Sequence, residues 1–157
     1  MKRLIYSLIL LVSLPCATRA QGAFSFGPML HLNIGEKPSR LSFGLEAAYW
    51  NLQKFPASIN MGMDFLKGAR RFYLEGQVGV GVAGLAFGPV FEKKKDDVIR
   101  LGFQTNLWAN YFAGVNLRWR RVNDQKTFAP GIYAKYPLLF GFEDDGDETD
   151  WSDIFDD

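Results

Sequence analysis

The chain has 157 residues, which is enough for one domain and little more. Its single cysteine, Cys16, excludes an intramolecular disulfide as a source of stability. The 18 basic and 17 acidic residues nearly balance, but nine of the acids fall in residues 143–157, which hold no base. This asymmetry predicts a folded body followed by a separate, solvated acidic tail.

The first twenty residues have the organisation of a secretory signal peptide. Lys2 and Arg3 precede an apolar run over residues 4–14, and Ala20 stands before a cleavage site ahead of Gln21. The run is too short to span a membrane as a helix. A lipoprotein would be acylated at Cys16, but Pro15 is a poor match to the small residue required there, so we expect Cys16 to leave with the signal. The body, residues 21–142, then carries a net charge of +7, and the tail carries −9.

Apolar and polar side chains alternate along the whole body. Only a β-strand places successive side chains on opposite faces, so this period of two predicts strands rather than helices. The alternation is longest over residues 99–120, which is too long for one strand and predicts two strands with a turn near 108–110 and an odd number of loop residues. The other predicted strands cover residues 24–34, 40–50, 58–65, 72–82, 85–92 and 128–136.

The predicted strands number eight, and most have the length that crosses a bilayer when tilted. Loops at 35–39, 66–70, 93–97 and 122–126 all carry Lys or Arg and would lie at the outer surface of an exported barrel. Two of the three connections at the other end, near residues 83 and 109, are very short. Short periplasmic turns are typical of outer-membrane barrels.

Alternation alone leaves open which face meets the interior. A soluble lipocalin-like barrel would point the apolar side chains inward, around an apolar ligand. Here the polar set is rich in Gly, Asn, Gln, Ala and Ser, which suits the cramped lumen of eight strands. The apolar set is bulky, and it places rings near strand ends in the manner of an aromatic belt, at Tyr49, Tyr111, Trp119 and Tyr136.

The sequence therefore predicts an all-β protein, an eight-stranded antiparallel up-and-down transmembrane β-barrel over residues 21–142. An N-terminal signal peptide, residues 1–20, precedes it, and the acidic tail, residues 143–157, follows. In strand number and alternation the chain resembles the small eight-stranded outer-membrane barrels of the OmpA transmembrane-domain and OmpX type. The resemblance implies residence in a Gram-negative outer membrane and insertion by the barrel assembly machinery, for which Phe140 or Phe142 would supply the final aromatic.

Inside such a barrel, four acids would meet four bases. Buried charge must be paired, because an isolated ion in a low dielectric is very costly. The set therefore predicts either an ion-pair plug that fills the lumen or a narrow polar path, and we favour the plug. Its members are Glu46, Asp64, Glu75, Glu92, Arg100, Arg118, Arg120 and Lys135.

Catalytic and metal-binding patterns are weak. His31 is the only histidine, and it would face the lumen beside Ser25 and Ser42, so we expect an interior structural group rather than a catalytic base. The acidic tail fails the spacing of a calcium loop, and no phosphate-binding glycine loop is present. We expect no cofactor and no metal.

The acidic tail contains Trp151, Ile154 and Phe155, which would share one face of a helical turn. It is either a disordered end or a short motif that docks on a basic partner, and both alternatives remain open.

The pattern as a whole favours a non-enzymatic outer-membrane protein with a structural or accessory role, in contact with outer-membrane lipid and lipopolysaccharide and with no nucleic-acid partner. Within this interpretation, a docking tail would bind a periplasmic or envelope protein. A lipid-A-modifying barrel enzyme and a soluble periplasmic carrier of an apolar ligand remain as alternatives.

Overall fold

The computed structural model describes residues 20–35, 38–51, 56–95 and 98–142, with side chains from 22 to 138 within those ranges. These residues form a single antiparallel sheet and no helix, hence no helix long and apolar enough to cross a membrane. The strands are β1 (Ala20–Asn33), β2 (Arg40–Asn51), β3 (Ala57–Leu66), β4 (Ala69–Val80), β5 (Ala83–Lys94), β6 (Arg100–Ala109), β7 (Ala113–Val122), β8 (Gln125–Ala134) and β9 (Tyr136–Phe142).

The sheet closes on itself through β1. This strand pairs with β2 on one side and with β8 and then β9 on the other. β8 and β9 act as one eighth strand, interrupted at Lys135, whose backbone N–H donates to the carbonyl of Phe112 instead of to the ladder. The predicted eight-stranded antiparallel barrel is therefore confirmed, although the last strand runs to Phe142, beyond the predicted end at residue 136.

The four hairpin connections that are described throughout have two or three residues each, and they use residues that tolerate a positive φ. Gly68 and Gly81 have φ values of 81° and 59° in the two-residue turns that follow β3 and β4. The turn between β6 and β7 is residues 110–112, opened by Asn110 at φ 73°. It lies two residues later than predicted, but its three residues keep the expected odd number, so the same face continues from β6 into β7.

The orientation predicted from the chemistry of the two faces is confirmed. Phe43, Phe87 and Phe103 point outward, with 47%, 62% and 63% of their surface exposed. Glu75 and Arg118 point inward and are completely buried. A soluble carrier needs an apolar interior, so the lipocalin-like arrangement does not fit this chain.

The boundaries of the flanking segments fall largely outside the described residues. The predicted signal peptide meets them only at Ala20, where β1 begins, and the acidic tail lies wholly beyond them.

Candidate functional site

Glycines on the inward faces make room for large polar side chains in the lumen. Tyr73 of β4 lies directly opposite Gly62 of β3, and a Cβ at Gly62 would collide with the Tyr73 hydroxyl. Trp108 of β6 covers Gly84 and Gly79 in the same way. At these places the interior is therefore filled by a few large side chains that pack directly against the backbone of glycine residues.

The centre of the lumen is organised around Glu46. One of its carboxylate oxygens accepts hydrogen bonds from the guanidinium of Arg118 at 2.6 Å and from the Tyr73 hydroxyl at 2.7 Å, and the other pairs with the Lys135 ammonium at 2.5 Å. The guanidinium carbon of Arg118 also stands 4.4 Å from the centre of the Tyr73 ring, a cation–π distance. All four side chains are buried, so the charges are shielded from solvent and matched by each other.

A second arm of the network runs from Arg118 to β4 and β6. Asp64 lies 3.6 Å from Arg118 and 2.8 Å from Arg120. The Arg120 Nε donates to the Gln104 side-chain oxygen at 2.7 Å, and the Gln104 amide donates to Glu75 at 2.9 Å. Glu75 is therefore tied to the ion pairs through an amide rather than by a base of its own.

Near the ends of the strands that carry the basic loops, Arg71 and Glu92 form a separate pair. The Arg71 Nε lies 2.6 Å from the Glu92 carboxylate, and its Nη1 donates to Asn33 at 2.9 Å. Lys94 reaches the other oxygen of Glu92 at 3.4 Å. This pair lies inside the barrel at one end of the lumen. Asn33, which accepts from Arg71, also donates a hydrogen bond to Ser42.

The opposite end of the lumen holds an aromatic cluster formed by Trp50, Trp108 and Tyr111. The two indoles meet edge to face with centroids 5.5 Å apart, and the Tyr111 ring lies 5.2 Å from each. The Tyr111 hydroxyl donates to the carbonyl of Gly81, which ties the 110–112 turn to its neighbour. Placing Tyr111 in the outer aromatic belt was wrong, because the turn directs its ring onto the inward-facing tryptophans.

His31 is buried, with its Nε2 3.0 Å from the side-chain oxygen of Asn116. Ser42 is its register partner on β2, but the Ser42 hydroxyl accepts from Asn33. Among the described residues no serine forms a hydrogen bond with His31, and no group of three potential metal ligands occurs. The histidine is placed as an interior hydrogen-bonding group, without the contacts of a nucleophile and base.

Of the eight predicted lumen charges, seven are buried within the barrel, namely Glu46, Asp64, Glu75, Glu92, Arg118, Arg120 and Lys135. Arg100 is half-buried at the start of β6, opposite Glu92 in the register. Sequence reasoning missed Arg71, which pairs with Glu92 and completes four buried bases against four buried acids among the described residues. The signal that would have found it is parity, since Arg71 belongs to the same row as Tyr73 and Glu75.

Known proteins resemble this chain in architecture but not in sequence. No family model matches the chain, and no curated protein sequence matches it. The crystal structure of Neisserial surface protein A is 8% identical, with a TM-score of 0.51, and the match covers 77% of this chain and 98% of that one. The chain has the fold of the small eight-stranded outer-membrane barrels.

Two further structures show the same likeness. The de novo designed barrel TMB2.3 is 11% identical with a TM-score of 0.50, covering 76% of this chain and 95% of that one. The outer membrane protein Ail of Yersinia pestis is 10% identical with a TM-score of 0.46, covering 76% of this chain and 99% of that one. At such identities the similarity concerns the fold alone, so function has to be argued from the residues of this chain.

Proposed function

We propose that this chain is a non-enzymatic β-barrel of the Gram-negative outer membrane, with a structural or accessory role in the envelope and a lumen closed by its own ion pairs. The observation that supports this most directly is the contrast between the two faces of the same strands. Bulky apolar side chains cover the outside, while four acids and four bases are packed inside. Such an outside is unfavourable in water and favourable in lipid hydrocarbon.

The network supports a closed lumen rather than a pore. Glu46, Arg118 and Tyr73 join β2, β7 and β4 across the axis, so an ion would have to displace interactions that match buried charges. The aromatic cluster blocks the same route at one end. Eight strands leave an interior only wide enough to be filled by side chains.

Membrane fractionation and conductance test the proposal. We expect the exported protein to fractionate with outer membranes and to migrate differently on gels with and without heating, as a folded barrel does. In planar bilayers we expect no conductance steps, with a sixteen-stranded porin as the positive control. A protein found in the soluble periplasm contradicts the membrane assignment, whereas regular conductance steps contradict only the closed lumen.

The enzymatic alternative is tested at His31. Because its ring contacts Asn116 inside the lumen, away from the lipid-facing surface, we expect a His31→Ala variant to leave the lipid A profile of the cell unchanged. Loss of a modified lipid A species in that variant would support the enzyme instead.

The partner proposal concerns residues 143–157, which carry Trp151, Ile154 and Phe155 among nine acids. A tail on the periplasmic side would present an aromatic anchor to a basic surface. Affinity purification from detergent-solubilised envelopes, with and without these residues, tests it. Equal recovery of every co-purifying protein by both forms contradicts docking through the tail.

A further inference from the structure

Two pairs of basic side chains face each other across neighbouring strands on the outside of the barrel. Arg70 of β4 is the register partner of Lys93 of β5, and Arg121 of β7 is the partner of Lys126 of β8. All four side chains are exposed. Directly opposed side chains on one face lie about 5 Å apart at Cβ, and like charges in that position destabilise a sheet. A negative group held between the two bases would remove the repulsion.

The described residues supply little of that negative charge. Arg121 lies 3.8 Å from Asp124, but both side chains are highly exposed, and such pairs contribute little. Lys94, next to Lys93, reaches the buried Glu92 instead. Within the described part of the chain neither Arg70 nor Lys93 forms an ion pair. Asp96 and Asp97 of the adjoining loop lie outside the described residues.

Each basic pair stands above an aromatic pair on the same face. Phe72 and Phe91 are register partners with ring centroids 6.3 Å apart, and each is two residues from a member of the first basic pair. Trp119 and Phe128 have centroids 5.3 Å apart and stand in the same relation to the second. Since side chains two residues apart share a face, the same combination of two cations and two rings occurs at two places on the barrel.

Both places are concave. The first hollow is lined by Leu66, Ala69, Arg70 and residues 93–95. The second has an apolar wall from Phe103, Trp119 and Phe128, with Arg121 and Lys126 at its edge. The second hollow, with cations at its edge and an apolar wall, fits an amphiphile that has an anionic headgroup and an acyl chain. The first hollow is lined mainly by the basic side chains, and the Phe72 and Phe91 rings lie beyond its lining on the same face.

We infer that these two hollows bind the phosphorylated lipid of the outer leaflet, lipopolysaccharide. A headgroup phosphate lies between the two bases, and an acyl chain lies against the aromatic pair below. Arginine presents a fork of N–H donors that matches phosphate, and lysine adds a point charge. The inference rests on the proposed outer-membrane location. With the start of β1 on the periplasmic side, the connections from β3 to β4, β5 to β6 and β7 to β8, which adjoin these strand ends, lie at the outer surface.

The test counts lipid molecules retained by the exported protein in a nonionic detergent. Lipid A with both phosphates is added, and native mass spectrometry measures occupancy. We expect two bound lipids on the unaltered protein and one on either Arg70→Gln/Lys93→Gln or Arg121→Gln/Lys126→Gln. We expect affinity at the altered site to fall about tenfold or more, because charge-assisted hydrogen bonds are lost.

The matched control is Arg40→Gln/Lys67→Gln, which removes two positive charges at the same end of the barrel that do not oppose each other on one face, because Arg40 belongs to the inward row of β2 and Lys67 lies in the turn after β3. It should still retain two lipids. Equal binding by all variants, or an equal loss in the control, contradicts the inference. The unaltered protein gives an independent measurement, since lipid A stripped of its phosphates should bind weakly, and equal binding of both lipids also contradicts the inference.

A failure here is distinguishable from a failure of the proposed function. The heat-dependent gel shift is recorded on each sample before lipid is added. Its absence in the unaltered protein contradicts the membrane barrel itself. Its presence without phosphate-dependent lipid binding contradicts only the two lipid sites.

Discussion

The guanidinium of Arg118 lies 2.6 Å from the carboxylate of Glu46, and the two residues are 72 positions apart in the chain. Their strands, β7 and β2, are separated in the closed sheet by the strands that contain β8 and β1. The ion pair therefore crosses the lumen rather than following the barrel wall. Both side chains are almost completely buried, so each charge depends on the other for its stability.

Replacing one partner of this pair should strongly destabilise the barrel. In Arg118→Met the carboxylates of Glu46 and Asp64 lose a base that lies 2.6 Å and 3.6 Å away, respectively. We expect the free energy of unfolding to fall by about 3–5 kcal/mol, the usual cost of leaving a buried charge uncompensated. Urea titration of the protein in lipid vesicles, followed by the heat-dependent gel shift, measures it.

The control for this prediction is the double variant Glu46→Gln/Arg118→Met, which removes both charges. It should recover part of the lost stability, because the buried acids and bases are again equal in number, three of each, and Lys135 no longer has to balance Glu46. Arg121→Met on the exposed face should change stability by less than about 0.5 kcal/mol. A double variant as unstable as the sum of its single variants would show that the two charges do not act as a pair.

Gly62 and Gly76, on neighbouring strands, should respond oppositely to alanine. A Cβ at Gly62 would meet the Tyr73 hydroxyl and the Leu45 carbonyl, whereas a Cβ at Gly76 would meet nothing within 4 Å. We expect Gly62→Ala to cost about 1–3 kcal/mol through overpacking. Gly76→Ala should be neutral or stabilising by up to about 1 kcal/mol, because alanine loses less backbone entropy in a strand. Equal effects in the same urea titration would contradict the tight contact at Gly62.

The sequence determines the barrel well because each strand repeats the same two-residue period. Leu101, Phe103 and Leu107 share one face, and Gln104 and Asn106 share the other, so strand type, strand number and orientation follow from parity and side-chain chemistry. Parity also continues from β6 into β7 across the three-residue turn, but it does not fix the direction of a side chain within the turn. Tyr111 was assigned to the outer row, whereas the 110–112 turn brings its ring onto Trp50 and Trp108.

The pairing of lumen charges could not be predicted for a different reason. It depends on the stagger between strands on opposite sides of the barrel, and no local pattern reports that stagger. Lys135 reaches Glu46 across 89 positions, at the residue where the last strand is interrupted. Nothing in the sequence around Lys135 marks the break except the proline at 137.

The three tryptophans of the barrel, leaving aside Trp151 of the tail, should divide into a lipid-exposed one and an internal pair. Trp119 faces outward and is 44% exposed, whereas Trp50 and Trp108 lie inside the barrel at 0% and 4%. In vesicles of brominated lipid, we expect Trp119→Phe to remove most of the bromine-dependent quenching of fluorescence. Trp50→Phe and Trp108→Phe should retain it, and they serve as controls that also lose one indole. Undiminished quenching in Trp119→Phe would place this face away from the hydrocarbon.

Two leucines on one face of β2 test how deeply the barrel sits in the bilayer. Leu45 lies near the middle of the strand and Leu41 near its end, and both are exposed. Arginine on the lipid face costs about 2–4 kcal/mol at the bilayer midplane and about 0–1 kcal/mol near the interface. We therefore expect Leu45→Arg to lower the free energy of unfolding in vesicles by the larger amount and Leu41→Arg by the smaller. In detergent micelles, where water reaches the surface more easily, the gap between the two variants should shrink. Equal losses in vesicles would mean that hydrocarbon does not surround the middle of β2, and the outward apolar face would then require a protein partner instead of lipid.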